Sequence, residues 1–371
     1  MKIILTGGGT AGHINPALAI ASYIKQRHEN AEILFIGTSG MESRLVPEAG
    51  FNFQVIEVAG FQRKLKLQNI KRNAVALGRM VTASIQAKKC IKQYNPDLVI
   101  GTGGYVSGPV VRAAAGLGVK TLIHEQNAFP GVTTKLLSKH AHCVMLASET
   151  ARMHFGKNIP IEITGNPIRE EIIMLRKEQA RQELGLDDRS LILSFGGSLG
   201  ARQINEAVAY FIGKTSGKMN WQYIHAYGQF GKWMPPLTRR QGADLKNKSI
   251  DLRGYISNMP LCLAAADLVI CRAGALTLSE LTAQGKPAIL IPSPNVAENH
   301  QYHNAMELVQ AGAARIIEEK KLTGESLTAE VTQLLENKQE LEIMHQNSQK
   351  LAILDANERI YRIVMRCLQE K

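Results

Sequence analysis

The sequence predicts an α/β fold with two doubly wound domains, each built on a parallel sheet. The chain has 371 residues, which exceeds the length that a single hydrophobic core usually supports. Short β-branched runs alternate with segments of helical periodicity along its whole length. A glycine-rich pattern, G-G-[T/S]-x-G, follows the first such run of each half and opens at Gly8 and Gly196. The repeated position of this pattern favours two domains of similar design.

The predicted strands divide into two sets of six. The first half contains the runs KIILT, EILFIG, QVIEV, DLVIG, KTLIHE and HCVMLA. The second half contains LILSF, WQYIHAY, IDLRGY, DLVICR, PAILIP and AARII. Helical segments between consecutive strands require crossover connections, which make the sheets parallel and cover both of their faces. Twelve strands are more than one sheet comfortably holds, so we expect two sheets.

The domain boundary is predicted at the segment IEITGNPIREEI. A strand-like IEIT is followed there by Gly165 and Pro167, both of which interrupt regular structure. We therefore expect an N-terminal domain over 1–165 and a C-terminal domain over 166–351. The chain beyond about Thr328 has helical periodicity, which is typical of helices that pack on a domain rather than carry chemistry.

Positive charge is concentrated in the first half. The net charge is +12, of which residues 1–165 contribute +10 and residues 166–371 only +2. No acidic residue occurs between Glu57 and Asp97. That interval contains these cations: Arg63, Lys64, Lys66, Lys71, Arg72, Arg79, Lys88, Lys89 and Lys92. Such a run indicates either a solvated helix face or contact with a polyanion, either nucleic acid or an anionic membrane.

Cysteine usage and hydropathy indicate a cytosolic chain. The five cysteines are widely spaced and form no C-x-x-C pair, which favours reduced thiols. Glycines interrupt the apolar N-terminal run after three residues, and no stretch approaches 18 apolar residues. The sequence also has no D-x-D motif and no His, Cys and Glu cluster with ligand spacing. We therefore expect neither a metal nor a cofactor.

Three glycine-rich loops follow predicted strands, over 7–12, 101–108 and 196–200. Glycine lets the backbone approach a ligand, and the amides of the next helix face an anion. A phosphorylated ligand is therefore expected. The first loop matches G-x-G-x-x-G, but the second strand ends at Gly37 without the acid that a dinucleotide ribose requires. A P-loop motif is also missing from the sequence.

Two polar features of the second half suit a nucleotide sugar. Glu280, near the start of a predicted helix, is either a ribose ligand or an ordinary first-turn carboxylate that complements the helix dipole. Asn299, His300, Gln301 and Asn304 follow a strand and offer both donors and acceptors. They are suited to sugar hydroxyls, although polar loops of this kind are also common.

Six motifs together resemble the MurG family of peptidoglycan N-acetylglucosaminyltransferases. They are GGGTAGHINPALA, GTGGYVSGP, HEQNAFPG, GGSLGARQIN, CRAGALTLSEL and NHQYHNA, in family order from residue 7 to residue 305. The resemblance implies a glycosyltransferase type B fold, in which two Rossmann-like domains face a cleft. It also implies that a C-terminal helix at about 352–371 packs back on the N-terminal domain.

The resemblance implies inverting transfer of N-acetylglucosamine from UDP-GlcNAc to the muramoyl 4-hydroxyl of lipid I, an undecaprenyl-diphosphate-linked acceptor. The product, lipid II, has a β-1,4 linkage, and the family needs no bound metal or cofactor. The N-terminal domain would face the acceptor and the membrane, and the C-terminal domain would bind the donor. The basic run would then lie on anionic lipid, placing the protein peripherally at the cytoplasmic face of the cell membrane.

The motifs also carry over site residues. Expected donor contacts are Thr10, Ala11, Gly12, Asn127, Arg169, Ser198, Ile256, Ala275, Leu276, Thr277, Leu278, Ser279, Glu280 and Gln301. Expected acceptor contacts are His13, Tyr105, Ser107 and Asn127, with His13 or Glu125 as the catalytic base. Two departures stand out: Ala11 replaces a glycine common in the family, and His300 replaces the first glutamine of a pair found in some relatives.

Two other functions remain open on the sequence. A UDP-GlcNAc 2-epimerase of the same fold would use a similar donor site but would leave the basic run without a role. A nucleotide-sugar sensor or nucleic-acid-binding protein would use the basic run but not the polar cluster. The run lacks the interleaved stacking aromatics typical of nucleic-acid binding, so we expect no nucleic-acid partner.

Overall fold

A computed structural model describes residues 1–58, 82–217 and 220–369. The chain separates into two compact units. The first comprises Met1–Pro167 with Asp355–Lys371, and the second comprises Ile168–Leu354. Most of the predicted basic run, from Arg63 to Arg79, lies outside the described residues.

The first unit is built on a seven-stranded sheet in the order β3-β2-β1-β4-β5-β6-β7, with every neighbouring pair parallel. Its strands are β1 (Lys2–Gly7), β2 (Glu32–Gly37), β3 (Asn52–Val55), β4 (Leu98–Gly103), β5 (Lys120–Glu125), β6 (Cys143–Leu146) and β7 (Ile161–Ile163). Its helices are α1 (Ala11–Arg27), α2 (Glu42–Glu48), α3 (82–94), α4 (Ser107–Gly116), α5 (Val132–Leu137) and α15 (Ala356–Gln369).

The second unit repeats this design with a six-stranded parallel sheet in the order β10-β9-β8-β11-β12-β13. Its strands are β8 (Ser190–Phe195), β9 (Trp221–Ala226), β10 (Ile250–Arg253), β11 (Leu268–Cys271), β12 (Ala288–Leu290) and β13 (Ala314–Ile316). Its helices are α6 (Glu170–Met174), α7 (Lys177–Glu183), α8 (Arg202–Thr215), α9 (Met234–Arg240), α10 (Met259–Ala265), α11 (Ala275–Ala283), α12 (His300–Gln310), α13 (Gly324–Glu336) and α14 (Lys338–Lys350).

The predicted fold class of two doubly wound α/β domains is confirmed. All twelve predicted strands occur, and IEIT contributes β7 at the edge of the first sheet. The third strand lies earlier in the chain than predicted: QVIEV spans residues 54–58, whereas β3 spans Asn52–Val55. β3 is an edge strand with mostly exposed side chains, so its apolar pattern gave a weak signal.

The C-terminal helix completes one face of the first unit. Ile360, Ile363 and Val364 of α15 are buried in the same core as Ile20 and Ile24 of α1. At the rim of this contact, the Tyr23 hydroxyl donates to Glu358 Oε2 over 3.0 Å. The highly amphipathic sequence of α15 is therefore explained by burial of its apolar side against α1.

Strand order identifies where each unit can hold a ligand. The chain progresses outward in opposite directions from β1 and β4 in the first sheet, and from β8 and β11 in the second. Loops that leave the carboxyl ends of such strand pairs diverge and open a crevice between them. The glycine-rich loops after β1, β4 and β8 therefore lie at the expected ligand-binding edges.

Hydropathy places no membrane span in the described chain. None of the helices within residues 1–58, 82–217 and 220–369 has the length and apolar character needed to cross a bilayer.

Candidate active site

The loops after β1 and β4 are in such close contact that only glycine fits between them. Gly104 has φ of +78°, and a Cβ atom there would lie 2.2 Å from the carbonyl oxygen of Gly8. Gly103 has φ of +105°, and its Cβ would lie 2.6 Å from Nδ1 of His13. Both positions are therefore restricted to glycine by conformation and by space. The contact places the first turn of α1 directly against the end of β4.

A buried carboxylate fixes the first glycine loop. Glu42 Oε2 accepts from the Gly9 amide over 3.2 Å, and Oε1 accepts from the Thr38 amide and hydroxyl over 3.0 and 2.6 Å. Burial raises the pKa of Glu42, but these hydrogen bonds outweigh burial and the net shift is downward. The carboxylate is fully buried and engaged, so it organises the loop rather than binding a ribose.

His13 lies in the first turn of α1 with one edge of its ring held by the protein. Its Nδ1 is 3.1 Å from the carbonyl oxygen of Thr102 and 3.1 Å from Gln126 Oε1. The Thr102 hydroxyl donates back to the His13 carbonyl over 2.7 Å, so backbone and ring are both anchored to the end of β4. The imidazole is half-buried. Nε2 forms no hydrogen bond within the described residues.

Glu125, the other candidate base, is engaged on both carboxylate oxygens. Oε1 accepts from the Asn127 amide over 3.1 Å and from Asn127 Nδ2 over 2.9 Å. Oε2 accepts from the Gly131 amide over 3.0 Å. The side chain is only 2% exposed. Through these hydrogen bonds the carboxylate holds the conformation of the loop between β5 and α5.

The two remaining predicted acceptor residues differ in exposure. Tyr105 is 40% exposed, and its hydroxyl lies 3.4 Å from Thr38 Oγ1. Ser107 is buried at the start of α4, where its hydroxyl donates to the carbonyls of Thr6 and Gly103 over 2.9 and 2.6 Å. Tyr105 can therefore contact a ligand with its side chain, whereas Ser107 supports the loop around Gly103.

Backbone amides are the remaining donors of the first unit's site. Thr10 occupies the N-cap position of α1 without a hydrogen bond from its side chain to the helix, and Ala11 and Gly12 begin the first turn. Within the described chain no side chain caps this helix, so the first-turn amides are oriented toward the loop edge. The N-terminus of a 17-residue helix is suited to a phosphate or another anion.

The second unit presents an equivalent glycine loop after β8. Gly200 has φ of +87°, and a Cβ there would lie 2.2 Å from the carbonyl oxygen of Tyr227. The loop is tied to the segment after β9, because the Gln229 amide donates to the Ser198 carbonyl over 3.0 Å. Ser198 itself is exposed. α8 begins two residues after Gly200, at Arg202, so its amides follow the loop directly.

Glu280 and Arg169 form an ion pair in the second unit. Arg169 Nη2 lies 3.4 Å from Glu280 Oε1, with the two side chains 51% and 22% exposed. Burial raises the pKa of Glu280, and the guanidinium of Arg169 partly offsets that rise. Glu280 lies in the second turn of α11 rather than its first turn. Dipole complementation, which acts in the first turn, therefore does not explain this carboxylate.

Five other predicted donor residues lie within α11 itself. Ala275, Leu276 and Thr277 form the first turn of this helix, which no side chain caps among the described residues. Leu278 is only 5% exposed and belongs to the core. The hydroxyl of Ser279 donates to the Ala275 carbonyl over 3.1 Å.

Two predicted donor residues of the second unit lie outside α11, one in a turn and one at the start of α12. Ile256 is buried in the turn between β10 and α10, at 2% exposure, so it offers its backbone rather than its side chain to a ligand. Gln301 lies in the first turn of α12, and its Oε1 accepts from the Ser293 amide over 2.8 Å. That bond uses the oxygen of the Gln301 amide, and the NH2 group remains as a donor.

Ligands for a metal are not clustered in the part of the chain that the structure describes. Within it, no group of three or more His, Cys, Asp or Glu side chains is placed to hold a metal ion.

Sequence reasoning missed four residues that shape the site: Glu42, Thr102, His124 and Gln126. His124 and Gln126 stand two apart in HEQN, and this spacing on a strand indicates a shared face. Glu42 gave no such signal, because it lies five residues beyond the end of β2. Its hydrogen bond to Gly9 spans 33 residues.

Comparison with known proteins assigns both halves of the chain to one enzyme family. The glycosyltransferase family 28 N-terminal domain matches residues 3–146, and the family 28 C-terminal domain matches residues 191–360. A relative from Acetivibrio thermocellus, a UDP-N-acetylglucosamine–N-acetylmuramyl-(pentapeptide) pyrophosphoryl-undecaprenol N-acetylglucosamine transferase, is 46% identical over 100% of this chain and 99% of its own.

Solved structures agree with this assignment. The crystal structure of MurG from Acinetobacter baumannii is 30% identical, covers 98% of this chain and 99% of its own, and has a TM-score of 0.79. A UDP-GlcNAc 2-epimerase from Neisseria meningitidis covers 99% of this chain and 100% of its own with a TM-score of 0.66, but at 14% identity it shares only the fold. The chain belongs to glycosyltransferase family 28 and, within it, to the MurG family of N-acetylglucosamine transferases.

Proposed function

We propose that the protein transfers N-acetylglucosamine from UDP-GlcNAc to lipid I and so forms lipid II for peptidoglycan synthesis. The identity of the substrates is supported by the Acetivibrio thermocellus N-acetylglucosamine transferase, which is 46% identical to this chain over its full length. The observation that carries the chemistry is the half-buried imidazole of His13, which is held at Nδ1 and whose Nε2 forms no hydrogen bond within the described residues. A base in that position is what a hydroxyl acceptor needs.

The reaction is proposed to proceed with inversion in one displacement. The muramoyl 4-hydroxyl attacks C1 of the sugar while the bond from C1 to the UDP oxygen breaks. Nε2 of His13 takes the proton of the attacking hydroxyl, and the bonding electrons leave with UDP. Attack opposite the leaving group turns the α-linked donor into a β-1,4-linked product. The proton and the negative charge thus end on different groups.

Stabilisation of the departing diphosphate is assigned to backbone dipoles and one cation. Negative charge grows on the UDP oxygens as the glycosidic bond breaks. The amides of the Gly196–Gly200 loop and of the start of α8 are suited to meet that charge, with help from Ser198 and Arg169. Such preorganised donors contribute about 2.7–4 kcal/mol each in enzymes that use them. We therefore propose transfer without a metal ion.

Donor recognition is proposed to centre on α11. Glu280 would accept hydrogen bonds from the ribose hydroxyls, because its carboxylate is largely buried and has one cationic neighbour, Arg169. The backbone of Ile256 would read the uracil, and the NH2 of Gln301 would read hexose hydroxyls. The amides of the first turn of α11, including that of Ala275, would complete the contacts that the second unit makes with the donor. In the first unit, the first-turn amides of α1 at Ala11 and Gly12 are proposed to face an anionic group of the ligand.

The acceptor is proposed to bind the first unit. Tyr105 has an exposed ring beside Gly9 and would contact the acceptor directly. Glu125 and Asn127 would shape the loop that receives it, because the carboxylate is already bound by three N–H groups. Ser107 would act in the same indirect way, through Gly103. We therefore assign the base to His13 and not to Glu125.

A lipid-linked acceptor gives the basic run of the first half a use. We propose that it holds the protein peripherally on anionic lipid at the cytoplasmic face of the cell membrane. Each cation near such a surface contributes about 1 kcal/mol. The charge balance of +10 in residues 1–165, against +2 in the remainder, supports the first unit as the membrane-facing one.

The reaction is tested by incubating the purified protein with UDP-GlcNAc and a lipid I analogue in buffer containing EDTA. We expect UDP and the disaccharide product in equal amounts, and no UDP when the acceptor is omitted. Formation of UDP-N-acetylmannosamine without acceptor would instead identify an epimerase. Activity that EDTA abolishes and Mg²⁺ restores would overturn metal-independent stabilisation of the diphosphate.

His13→Ala is expected to lower kcat by about 10²–10⁴-fold, because the attacking hydroxyl loses its proton acceptor. The KM for UDP-GlcNAc should change by less than about threefold, since a base at the acceptor contributes little to donor binding in the ground state. Steady-state kinetics with both substrates varied measures the two effects. His140→Ala, on an exposed histidine of the same unit, is the matched control. A near-normal kcat in His13→Ala would remove this residue from the role.

Glu280→Gln is expected to raise the KM for UDP-GlcNAc by roughly 10- to 100-fold, because charge-assisted hydrogen bonds contribute about 1.5–3 kcal/mol. Inhibition by UDP and by 2′-deoxy-UDP should differ strongly in the wild type and weakly in the variant. Glu183→Gln, on an exposed glutamate of the same unit, should change neither quantity. An unchanged preference for UDP in Glu280→Gln would exclude the ribose contact.

Membrane association is expected to require anionic lipid and to weaken with salt. Replacing Arg63, Lys64 and Lys66 by glutamine removes about 3 kcal/mol of surface attraction, which corresponds to roughly a 100-fold loss of affinity. Co-sedimentation with vesicles containing 30 mol% anionic phospholipid, at about 0.05 and 0.5 M salt, measures the loss and its screening.

The matched control for this experiment replaces three exposed cations of the second unit, Arg239, Arg240 and Lys246, by glutamine. The control should bind the vesicles like the wild type. Equal binding of the wild type to neutral vesicles at high salt would contradict an electrostatic anchor.

A further inference from the structure

Behind His13, three hydrogen bonds connect polar groups of the first unit in a continuous chain. Nε2 of His124 lies 3.0 Å from the carbonyl oxygen of Gly165, and its Nδ1 lies 3.0 Å from Gln126 Nε2. Oε1 of Gln126 lies 3.1 Å from Nδ1 of His13. His124 and Gln126 are both buried. The donor and the acceptor in each of these hydrogen bonds can be assigned in order, starting from the fully buried His124.

The first step fixes the proton on His124. Complete burial lowers the pKa of this imidazole, so the ring is neutral near pH 7 and carries one proton. The carbonyl of Gly165 can only accept, which places that proton on Nε2. Nδ1 of His124 therefore carries a lone pair and accepts a hydrogen bond from Gln126.

The second step fixes the orientation of the Gln126 amide. Its Nε2 donates to His124 Nδ1 over 3.0 Å and to the His124 carbonyl over 2.9 Å. Rotating the amide by 180° would direct Oε1 at two acceptors and leave both without a proton. An unmade buried hydrogen bond costs about 1–3 kcal/mol, so the observed orientation is strongly preferred. Oε1 therefore faces His13.

The third step fixes the tautomer of His13. Its Nδ1 faces two acceptors, Gln126 Oε1 and the Thr102 carbonyl, each at 3.1 Å. Only a protonated Nδ1 can satisfy this arrangement, because a lone pair there would oppose two oxygen atoms. In the neutral ring the remaining lone pair then lies on Nε2, the nitrogen that has no partner among the described residues.

We propose that His124 and Gln126 are positioning residues that hold His13 in the Nδ1-protonated tautomer, with Nε2 ready to accept a proton. This proposal rests on the assignment of His13 as the base. When the ring becomes a cation, its Nδ1–H continues to donate to Gln126 and Thr102, and charge strengthens both bonds. The orienting group is a neutral amide, where the serine-protease triad uses a carboxylate for the same purpose.

The tautomer is measured directly by ¹⁵N NMR of the histidine rings in the wild-type protein above pH 8. We expect the ring of His13, identified by its loss in His13→Ala, to show an unprotonated Nε2 and a protonated Nδ1. The reverse pattern would overturn the proposal. This measurement does not depend on turnover, so activity in His13→Ala would refute the base while leaving the tautomer result to stand.

Kinetics test whether Gln126 acts through His13. Gln126→Leu keeps a side chain of similar volume but removes its three hydrogen bonds, two to His124 and one to His13. The Thr102 carbonyl then remains as the acceptor at His13 Nδ1, so the Nδ1-protonated tautomer should lose population in the ¹⁵N spectrum without disappearing. We expect kcat to fall by about 10-fold or more, yet less than in His13→Ala, with the KM for UDP-GlcNAc changed less than about twofold. Gln54→Leu, on an exposed glutamine of the same unit, is the matched control.

The double variant His13→Ala/Gln126→Leu separates positioning from a general structural role. If Gln126 acts only through the imidazole, the double variant loses no more kcat than His13→Ala alone. Multiplicative losses would show that Gln126 supports catalysis independently and would overturn the proposal. An unchanged ¹⁵N pattern in Gln126→Leu would overturn it as well.

Discussion

The close packing of the loop after β1 against the loop after β4 is the constraint on which the first unit's site depends. Side chains at Gly103 and Gly104 would collide with His13 and with the Gly8 carbonyl. The Thr102 hydroxyl binds the His13 carbonyl, so the end of β4 also sets the first turn of α1. The position of the imidazole is therefore determined by backbone, with few freely rotating bonds between it and the sheet. Such rigidity suits a base that must meet a hydroxyl at hydrogen-bond distance.

Both units place buried polar groups beneath their glycine loops. In the second unit His225 Nδ1 lies 2.6 Å from Ser194 Oγ and its Nε2 lies 3.1 Å from Asn205 Oδ1, while Asn205 Nδ2 donates to the Tyr227 carbonyl. Burial lowers the pKa of His225 to about 3, so this ring stays neutral. Each network contributes rigidity only because its members are paired, since an unpaired buried donor is costly.

The sequence predicts the strands and glycine loops because their signals are local. β-branched runs and glycine spacing occupy ten residues or fewer, and parallel topology follows from the helices between strands. The supporting contacts are not local: His13 reaches Gln126 across 113 residues, and Gly9 reaches Glu42 across 33. The periodicity of apolar residues along the sequence does not predict contacts between residues so far apart. Motif resemblance supplied Glu125 as a candidate base, but only the coordinates reveal which N–H groups its oxygens already bind.

The contrast between Glu125 and His13 lies in their hydrogen-bond partners, and it is the reason that we propose His13 rather than Glu125 as the base. Three N–H groups donate to the carboxylate of Glu125, and each of them occupies a lone pair. A base bound in this way would have to surrender loop contacts to accept a proton. His13 has the opposite arrangement, because acceptors hold the nitrogen that already carries a proton. A proton added at Nε2 would therefore break none of the hydrogen bonds that hold this ring.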